Sequence, residues 1–510
     1  MVLAGLAWQA GATASQPSAR PEVGASVPAT ATYTNLGVAQ NSPMLAIDPT
    51  DSRFVALAHR QDAPEFGCGL QVSGDGGQGF VPAEPVPVLP EGAERCYGPE
   101  VAFDRHGRLY YLFIGLAGAG NNPVGVYLTT STDHGRTFSP PAQVLGPSSY
   151  QVRMVIDNDR GRRGRLHLVW LQAANDDPLG GLPPLPNPLM SAYSDDGGAT
   201  FSEPVQLSDA DRPRAVAPAI AVGTDGRAHV AYFDLQDDFR DYQGLEGPAW
   251  EGTWSVVVTT SADGGRSWGP GVEVDDGLVP PGRVILIYTM APPSLVAGDD
   301  GSLVAAWSDA RNGDADVFTS RSADQGATWS PPLRVNDDPP RPEPADQYLP
   351  RLSVAPGGRV DLVYFDRRND PANVRNDVYY SWSDDGGQAW APSLRLTEHS
   401  SDTRVGQRYA VPSATGLFEI GSRLGLVSTR ARALAAWPDT RNSLLGSADQ
   451  SVFTAEARFP GVIDEPEVEG PPWLLIGAIS GGATSVLVMI VVAVHRRRSQ
   501  SAPAVVTSAK

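Results

Sequence analysis

Three times in the second half of the chain an aspartate is followed two residues later by an arginine and then an asparagine. The copies are Asp309-Ala310-Arg311-Asn312, Asp366-Arg367-Arg368-Asn369 and Asp439-Thr440-Arg441-Asn442, and Asp234 stands at the matching place of an earlier segment. Nearby segments add Asp346-Gln347-Tyr348 and Gln407-Arg408-Tyr409, with Tyr97 and Tyr150 earlier in the chain. A guanidinium is a planar fork of donors that fits a carboxylate with two parallel hydrogen bonds, and a tyrosine offers an apolar ring with a polar tip. Arg311, Arg368, Arg408 and Arg441, with Asp309, Asp366, Asp439, Tyr348 and Tyr409, therefore suit recognition of an acidic or hydroxylated ligand. A second account needs no ligand: each aspartate caps its own loop and each arginine bridges to a neighbouring element. Recurrence at equivalent places favours that account, because a catalytic site seldom draws the same residue from symmetric positions.

The elements that position these residues are announced by another repeat. SGDGGQGF, STDHGRTF, SDDGGATF, SADGGRSW, SADQGATW and SDDGGQAW all fit S-x-D-x-G-x-(T/S)-(W/F), with small departures. Their aspartates, Asp75, Asp133, Asp196, Asp263, Asp324 and Asp385, lie 58, 63, 67, 61 and 61 residues apart. A period near 60 marks a repeat architecture. The carboxylate accepts hydrogen bonds from backbone N–H groups a few residues on, and the following glycine takes positive φ at no steric cost, so the motif closes a tight turn. The final aromatic ring is left to pack between neighbouring sheets. No copy carries the spaced oxygen ligands and distal glutamate of a calcium loop, so neither metal nor cofactor is expected.

Around each box lie short runs of β-branched and aromatic residues bounded by Gly, Pro, Asn and Asp, as in LVAAWSDARNGDADVFTSRS and VDLVYFDRRNDPANVRNDVYYSWS. Each period then holds four antiparallel strands, one blade of a β-propeller. A further repeat, Leu424 to Phe459, has the W-x-D-x-R-N segment but lacks a box and a fourth strand. Thr32 to Ala39 aligns with the last strand of other repeats and is expected to supply it, closing the ring and covering the open edges. The expected fold is all-β, a seven-bladed propeller of four-stranded blades, with six blades as the alternative.

Composition agrees. The 510 residues include 54 Gly and 46 Pro, suited to many short strands and turns. A net charge of −19 argues against nucleic acid as a partner. Trp473 to Val494 is a 22-residue run without a charge, followed at once by His495 to Arg498 (HRRR). Those features predict one membrane-spanning helix with the basic tail in the cytoplasm. The expected layout is a signal-peptide-like segment at 1–14, a linker at 15–30, the propeller at 31–459, an acidic Pro-rich stalk at 460–472, the span at 473–494 and a cytoplasmic tail at 495–510. Cys68 and Cys96, near strand ends in adjoining repeats of an exported chain, are expected to form a disulfide across adjacent blades.

The six boxes at this period resemble the Asp-box, or BNR, repeats of the sialidase superfamily, and the likeness covers most of residues 40 to 459. In that family the boxes lie at the turn between third and fourth strands, away from the active site. The resemblance implies three arginines on a substrate carboxylate, a tyrosine nucleophile activated by a glutamate, and an aspartic acid as proton donor. One departure stands out: the family's (F/Y)-R-I-P segment has no match, the corresponding stretch reading NSPMLAIDP, with RAVAP and Leu349-Pro350-Arg351 only superficially similar. The expectation is a cell-surface propeller that binds an extracellular glycan or other ligand without efficient sialidase activity. The alternatives are an exo-sialidase-type glycoside hydrolase and an extracellular scaffold that binds protein.

Overall fold

A computed structural model describes residues 19–31, 37–83, 89–158, 164–173, 186–238, 252–280, 291–405, 420–444 and 449–464. Arg408 and Tyr409, the membrane-spanning run and the signal-like segment lie outside these residues. The chain is a ring of seven antiparallel sheets. Written from inner strand to outer, blade 1 is Ala39–Ile47, Val55–Ala63, Gly67–Ser73 and Val81–Pro82. Blade 2 is Arg95–Phe103, Leu109–Ala117, Asn122–Ser131 and Ala142–Leu145, and blade 3 is Ser149–Ile156, Leu166–Gln172, Leu189–Ser194 and Val205–Gln206. Blade 4 is Ala215–Val222, Ala228–Asp234, Trp254–Ser261 and Val272–Leu278, and blade 5 is Ser294–Ala297, Leu303–Asp309, Asp316–Ser322 and Leu333–Arg334. Blade 6 is Gln347–Val354, Val360–Asp366, Arg375–Ser383 and Leu394–Arg395, and blade 7 begins with Gly425–Ser428, Arg432–Asp439 and Ser451–Arg458.

The N-terminal chain completes blade 7, but with other residues than those expected. Glu22–Val23 pairs with Arg458 and Ala457, and Val27–Pro28 with Thr454 and Phe453. Of the segment expected to do this, 32–36 lies outside the described residues, and Val38 to Gln40 meets Gln450 while leading into the inner strand of blade 1. Residues 22–28 thus belong to the propeller rather than to a linker. Proline at this place is tolerated because an outermost strand has one unpaired side.

Each box closes as its residue types predict. In the fifth, Ser322 Oγ donates to Asp324 Oδ1 (2.8 Å) and accepts from the Gly326 amide (2.8 Å). The Thr328 amide and hydroxyl donate to the two oxygens of Asp324 at 2.8 and 2.6 Å. Asp133, Asp196 and Asp263 accept in the same way, and Asp75 and Asp385 accept the corresponding amide alone, since Gly79 and Ala389 carry no hydroxyl. The second glycine of the blade 3 box, Gly198, has φ +88°, and a Cβ there would stand 2.5 Å from Leu128 of blade 2. Box aromatics fasten each blade to the one before it: Trp268 Nε1 donates to Ser191 Oγ (2.7 Å) and Trp390 Nε1 to Thr319 Oγ1 (3.0 Å).

The core is the set of seams between sheets. Trp170, Trp307 and Trp437 stand at one recurring position of the second strand and are fully buried. The seam that closes the ring packs Leu45, Val55 and Leu57 of blade 1 against Leu434, Ala436 and Val452 of blade 7. The expected disulfide is present: Cys68 of blade 1 is bonded to Cys96 of blade 2, with Cα atoms 5.7 Å apart.

Candidate functional site

Five inner strands carry a register shift at the same place, each with a positive-φ residue. These residues are Ser42 (φ 51°), Gly98 (58°), Gln151 (52°), Ala217 (55°) and Leu349 (56°). Only one of them is glycine, so the bulge is imposed by the fold against the preference of the local chain. Two residues beyond it stand Met44, Glu100, Arg153, Ala219 and Arg351 in blades 1, 2, 3, 4 and 6. The charged members meet across the ring. Arg153 Nη1 donates to Glu100 Oε1 (3.3 Å), and Arg423, which precedes the inner strand of blade 7, donates to Glu100 Oε1 and to the Pro99 carbonyl. Side chains from blades 2, 3, 6 and 7 converge only on the axis, so the four line the central channel.

The electrostatics of this cluster are uneven. Three guanidiniums surround one carboxylate, which is 1% exposed. Burial pushes the Arg153 guanidinium down to about 10; Glu100 opposes the shift, while Arg423 and Arg351 add to it. Burial lowers Arg351 as well, with Glu100 opposing and Arg423 adding. The Arg351 side chain makes no hydrogen bond among the described residues, and its Nε is buried without a partner, as is Glu100 Oε2. A partly exposed guanidinium whose Nε is buried and idle, beside two others, is an arrangement that an anion would complete.

The aspartate–arginine pairs on the rim are occupied otherwise. Asp309, Asp366 and Asp439 each accept the backbone amide two residues on, at 2.7 to 2.8 Å. Arg311 pairs with Asp309 and with Asp275 of blade 4, and packs over Phe318. Arg368 pairs with Asp366 (2.7 Å) and with Asp337 of the blade 5 edge (2.6 Å), over Tyr379. Arg441 pairs with Asp439 (2.7 Å) and donates to Ser26 Oγ, which bonds Glu398 beyond blade 6. Desolvation works against both Arg311 and Arg368, and their carboxylates more than offset it, raising both. These groups tie blade to blade. Tyr348 is held by Arg367 Nη2 (3.0 Å) and Asn376, and burial raises its hydroxyl.

Residues 187–465 match the BNR repeat-like domain family. The chain belongs to that family. Among solved structures the chain is similar to a protein of unknown function from Dyadobacter fermentans, at 13% identity over 86% of this chain and 99% of that one, with a TM-score of 0.47. It is similar to a Hadza microbial sialidase at 16% identity over 81% and 75%, with a TM-score of 0.42. It is also similar to the endosialidase of phage phi92, at 10% identity over 89% and 72%, with a TM-score of 0.45. A comparison with curated proteins finds no match. Within this BNR propeller the six box aspartates sit in peripheral turns, as the resemblance implies. The channel residues were missed in the sequence although a signal was there: Tyr97-Gly98-Pro99-Glu100, Tyr150-Gln151-Val152-Arg153 and Tyr348-Leu349-Pro350-Arg351 share one frame. The last contains the Leu-Pro-Arg segment that looked superficial, and it places Arg351 on the axis.

Proposed function

We propose that this BNR propeller binds an acidic glycan in its axial channel, with Arg153, Arg351 and Arg423 receiving the ligand's carboxylate. The observation that carries the reading is Arg351, half-buried near two further guanidiniums, with a buried Nε and no side-chain hydrogen bond among the described residues. Glu100 offsets one of the three positive charges and orients Arg153 and Arg423, leaving Arg351 for the ligand. The rim arginines Arg311, Arg368 and Arg441 hold the mouth in shape, so their contribution is to preorganise the site. The uncharged run before His495 supports placing the propeller outside a membrane with its short tail inside. Protease added to intact cells then removes the propeller and spares the tail.

The deciding experiment is calorimetric titration of the full chain with sialic acid, glucuronic acid and glucose. Both acids bind and glucose does not, and Arg351→Ala removes binding of the acids. Equal binding of glucose, or acid binding unchanged by Arg351→Ala, overturns the channel reading. A second reading, exo-sialidase chemistry, is favoured by the convergence of three arginines near one glutamate. Our expectation is that hydrolysis of a simple sialoside is weak or absent, and efficient release of sialic acid by the purified chain would reverse the preference.

A further inference from the structure

The seam between blades 1 and 2 is tied at three levels, stepping from the third strand of blade 1 to its inner strand. Outermost is the disulfide, from Cys68 on the third strand of blade 1 to Cys96 on the inner strand of blade 2. Next comes Arg60 on the second strand of blade 1. Its Nη1 donates to the Tyr97 hydroxyl of blade 2 at 2.5 Å, its guanidinium carbon stands 4.9 Å from the centre of the Tyr97 ring, and its Nη2 donates to Asp62 at 2.7 Å. Innermost is Arg423, which arrives from blade 7 and spans the same seam. Its Nε donates to the Ser42 carbonyl of blade 1 at 3.0 Å, while Nη1 and Nη2 donate to Glu100 and to the Pro99 carbonyl of blade 2.

These ties form one circuit. Cys68 stands directly opposite Arg60 in the ladder of blade 1, and Arg60 stands opposite Asn41, the neighbour of Ser42. On the other side of the seam Cys96 shares its strand with Pro99 and Glu100. The two carbonyls that Arg423 bridges are thus joined through paired strands and one covalent bond, and a change in the width of the seam alters both ends of Arg423 at once. Its placement matters because Arg423 shares Glu100 with Arg153 and acts on Arg351, and three like charges stay together only while the surrounding frame holds them.

We propose that the Cys68–Cys96 bond sets the spacing of the axial guanidiniums, so that the affinity of the channel for a carboxylate depends on the redox state of that bond; this rests on the channel reading above. The reductant is a small dithiol. Cys96 is 7% exposed and Cys68 is only partly buried, so attack falls on Cys68. A thiolate of the reductant bonds to the Cys68 sulfur and Cys96 leaves as a thiolate that takes up a proton; the second thiol of the reductant then displaces Cys68, which is protonated in turn, and the reductant departs as a cyclic disulfide. With the bond open the seam loses its covalent tie, the guanidiniums spread, and a carboxylate meets fewer of them at once.

The test is calorimetric titration of the full chain with sialic acid and glucuronic acid, oxidised and after dithiothreitol, with the free thiols counted by mass spectrometry. Reduction weakens both acids by about tenfold, as expected for loss of one charge-assisted hydrogen bond, and reoxidation restores them. The double variant Cys68→Ser, Cys96→Ser binds as the reduced chain does and is indifferent to dithiothreitol. Trp390→Phe removes the indole bond to Thr319 and loosens the seam of blades 5 and 6 instead, and it leaves acid affinity unchanged, which separates this seam from a general softening of the ring. Hydrogen exchange without ligand gives a second reading: amides of Arg95–Phe103 and Gly425–Ser428 exchange faster once the bond is open. Equal affinity in both redox states, equal exchange in those strands, or a matching loss in Trp390→Phe overturns the proposal and leaves the channel reading standing. Acid binding absent from the oxidised chain overturns the channel reading and this proposal with it.

Discussion

At the residue scale the protein separates two uses of arginine. On the rim each guanidinium meets carboxylates placed for it, whereas in the channel three of them share one. The imbalance gives opposite signs for two substitutions. Glu100→Gln leaves the buried Arg423 and the half-buried Arg153 and Arg351 without their shared counter-charge and costs about 3 kcal/mol of stability, read by denaturant titration. It also strengthens the binding of a small carboxylate, because nothing competes for the site. Arg351→Gln removes a half-buried charge that no carboxylate pairs directly, so stability is unchanged or increased while acidic-ligand affinity falls by about tenfold or more. Loss of affinity in both variants would count against a competition between Glu100 and ligand.

At the scale of the element, the box is a turn whose stability depends on an ionised aspartate. Asp133, Asp196 and Asp324 are held down to about 2, against an ordinary 3.8, first by the hydroxyl of the threonine four residues on and then by its amide. The folded carboxylates are harder to protonate than the unfolded ones. Their stabilisation is therefore in place above pH 3.8 and lost as pH falls towards 2, while burial holds His59, His167 and His229 down to about 4 from an ordinary 6.5 and so already costs stability as pH falls below about 6.5; thermal melts should decline gently from there and drop steeply below about 4. A melting temperature flat down to pH 2 would contradict this. The glycine of the turn is required for two reasons at once: Gly198→Ala puts a side chain into a left-handed backbone and against Leu128. A loss of about 1–3 kcal/mol in chemical unfolding is expected.

Across the whole molecule the ring is closed by non-covalent pairing of residues 22–28 on the strand Ser451–Arg458, and a covalent bond ties blade 1 to blade 2. Deleting residues 19–28 exposes that strand and opens the seam of blades 1 and 7. A ring holds all its seams or none, so one cooperative transition at a lower Tm is expected, and loss of blade 7 alone would show as a separate early transition. Replacing Cys68 and Cys96 with serine frees a loop whose ends are 28 residues apart, which costs about 3.6 kcal/mol in the unfolded-chain entropy account. Denaturant titration with and without reductant measures it.

How much of this was legible in the sequence follows from the range of each interaction. The blade count, the box turns with their positive-φ glycines and the capping role of Asp309, Asp366 and Asp439 depend on residues within a few positions of one another, and a period repeated six times states such rules plainly. The Cys68–Cys96 bond was legible because only two cysteines exist. The closing strand was not: Glu22–Val23 and Val27–Pro28 are too short to carry an alternating pattern, and their partners lie more than 400 residues away. The axial cluster was hidden for a stronger reason. Glu100, Arg153, Arg351 and Arg423 come from four different blades, the first three on inner strands and Arg423 just before one. Only closure of the ring brings four blades to one axis, where three like charges act on one another. The sequence by itself determined the repeated unit and its turns; the tertiary structure decided which charges share a dielectric, because that depends on distances no local spacing encodes.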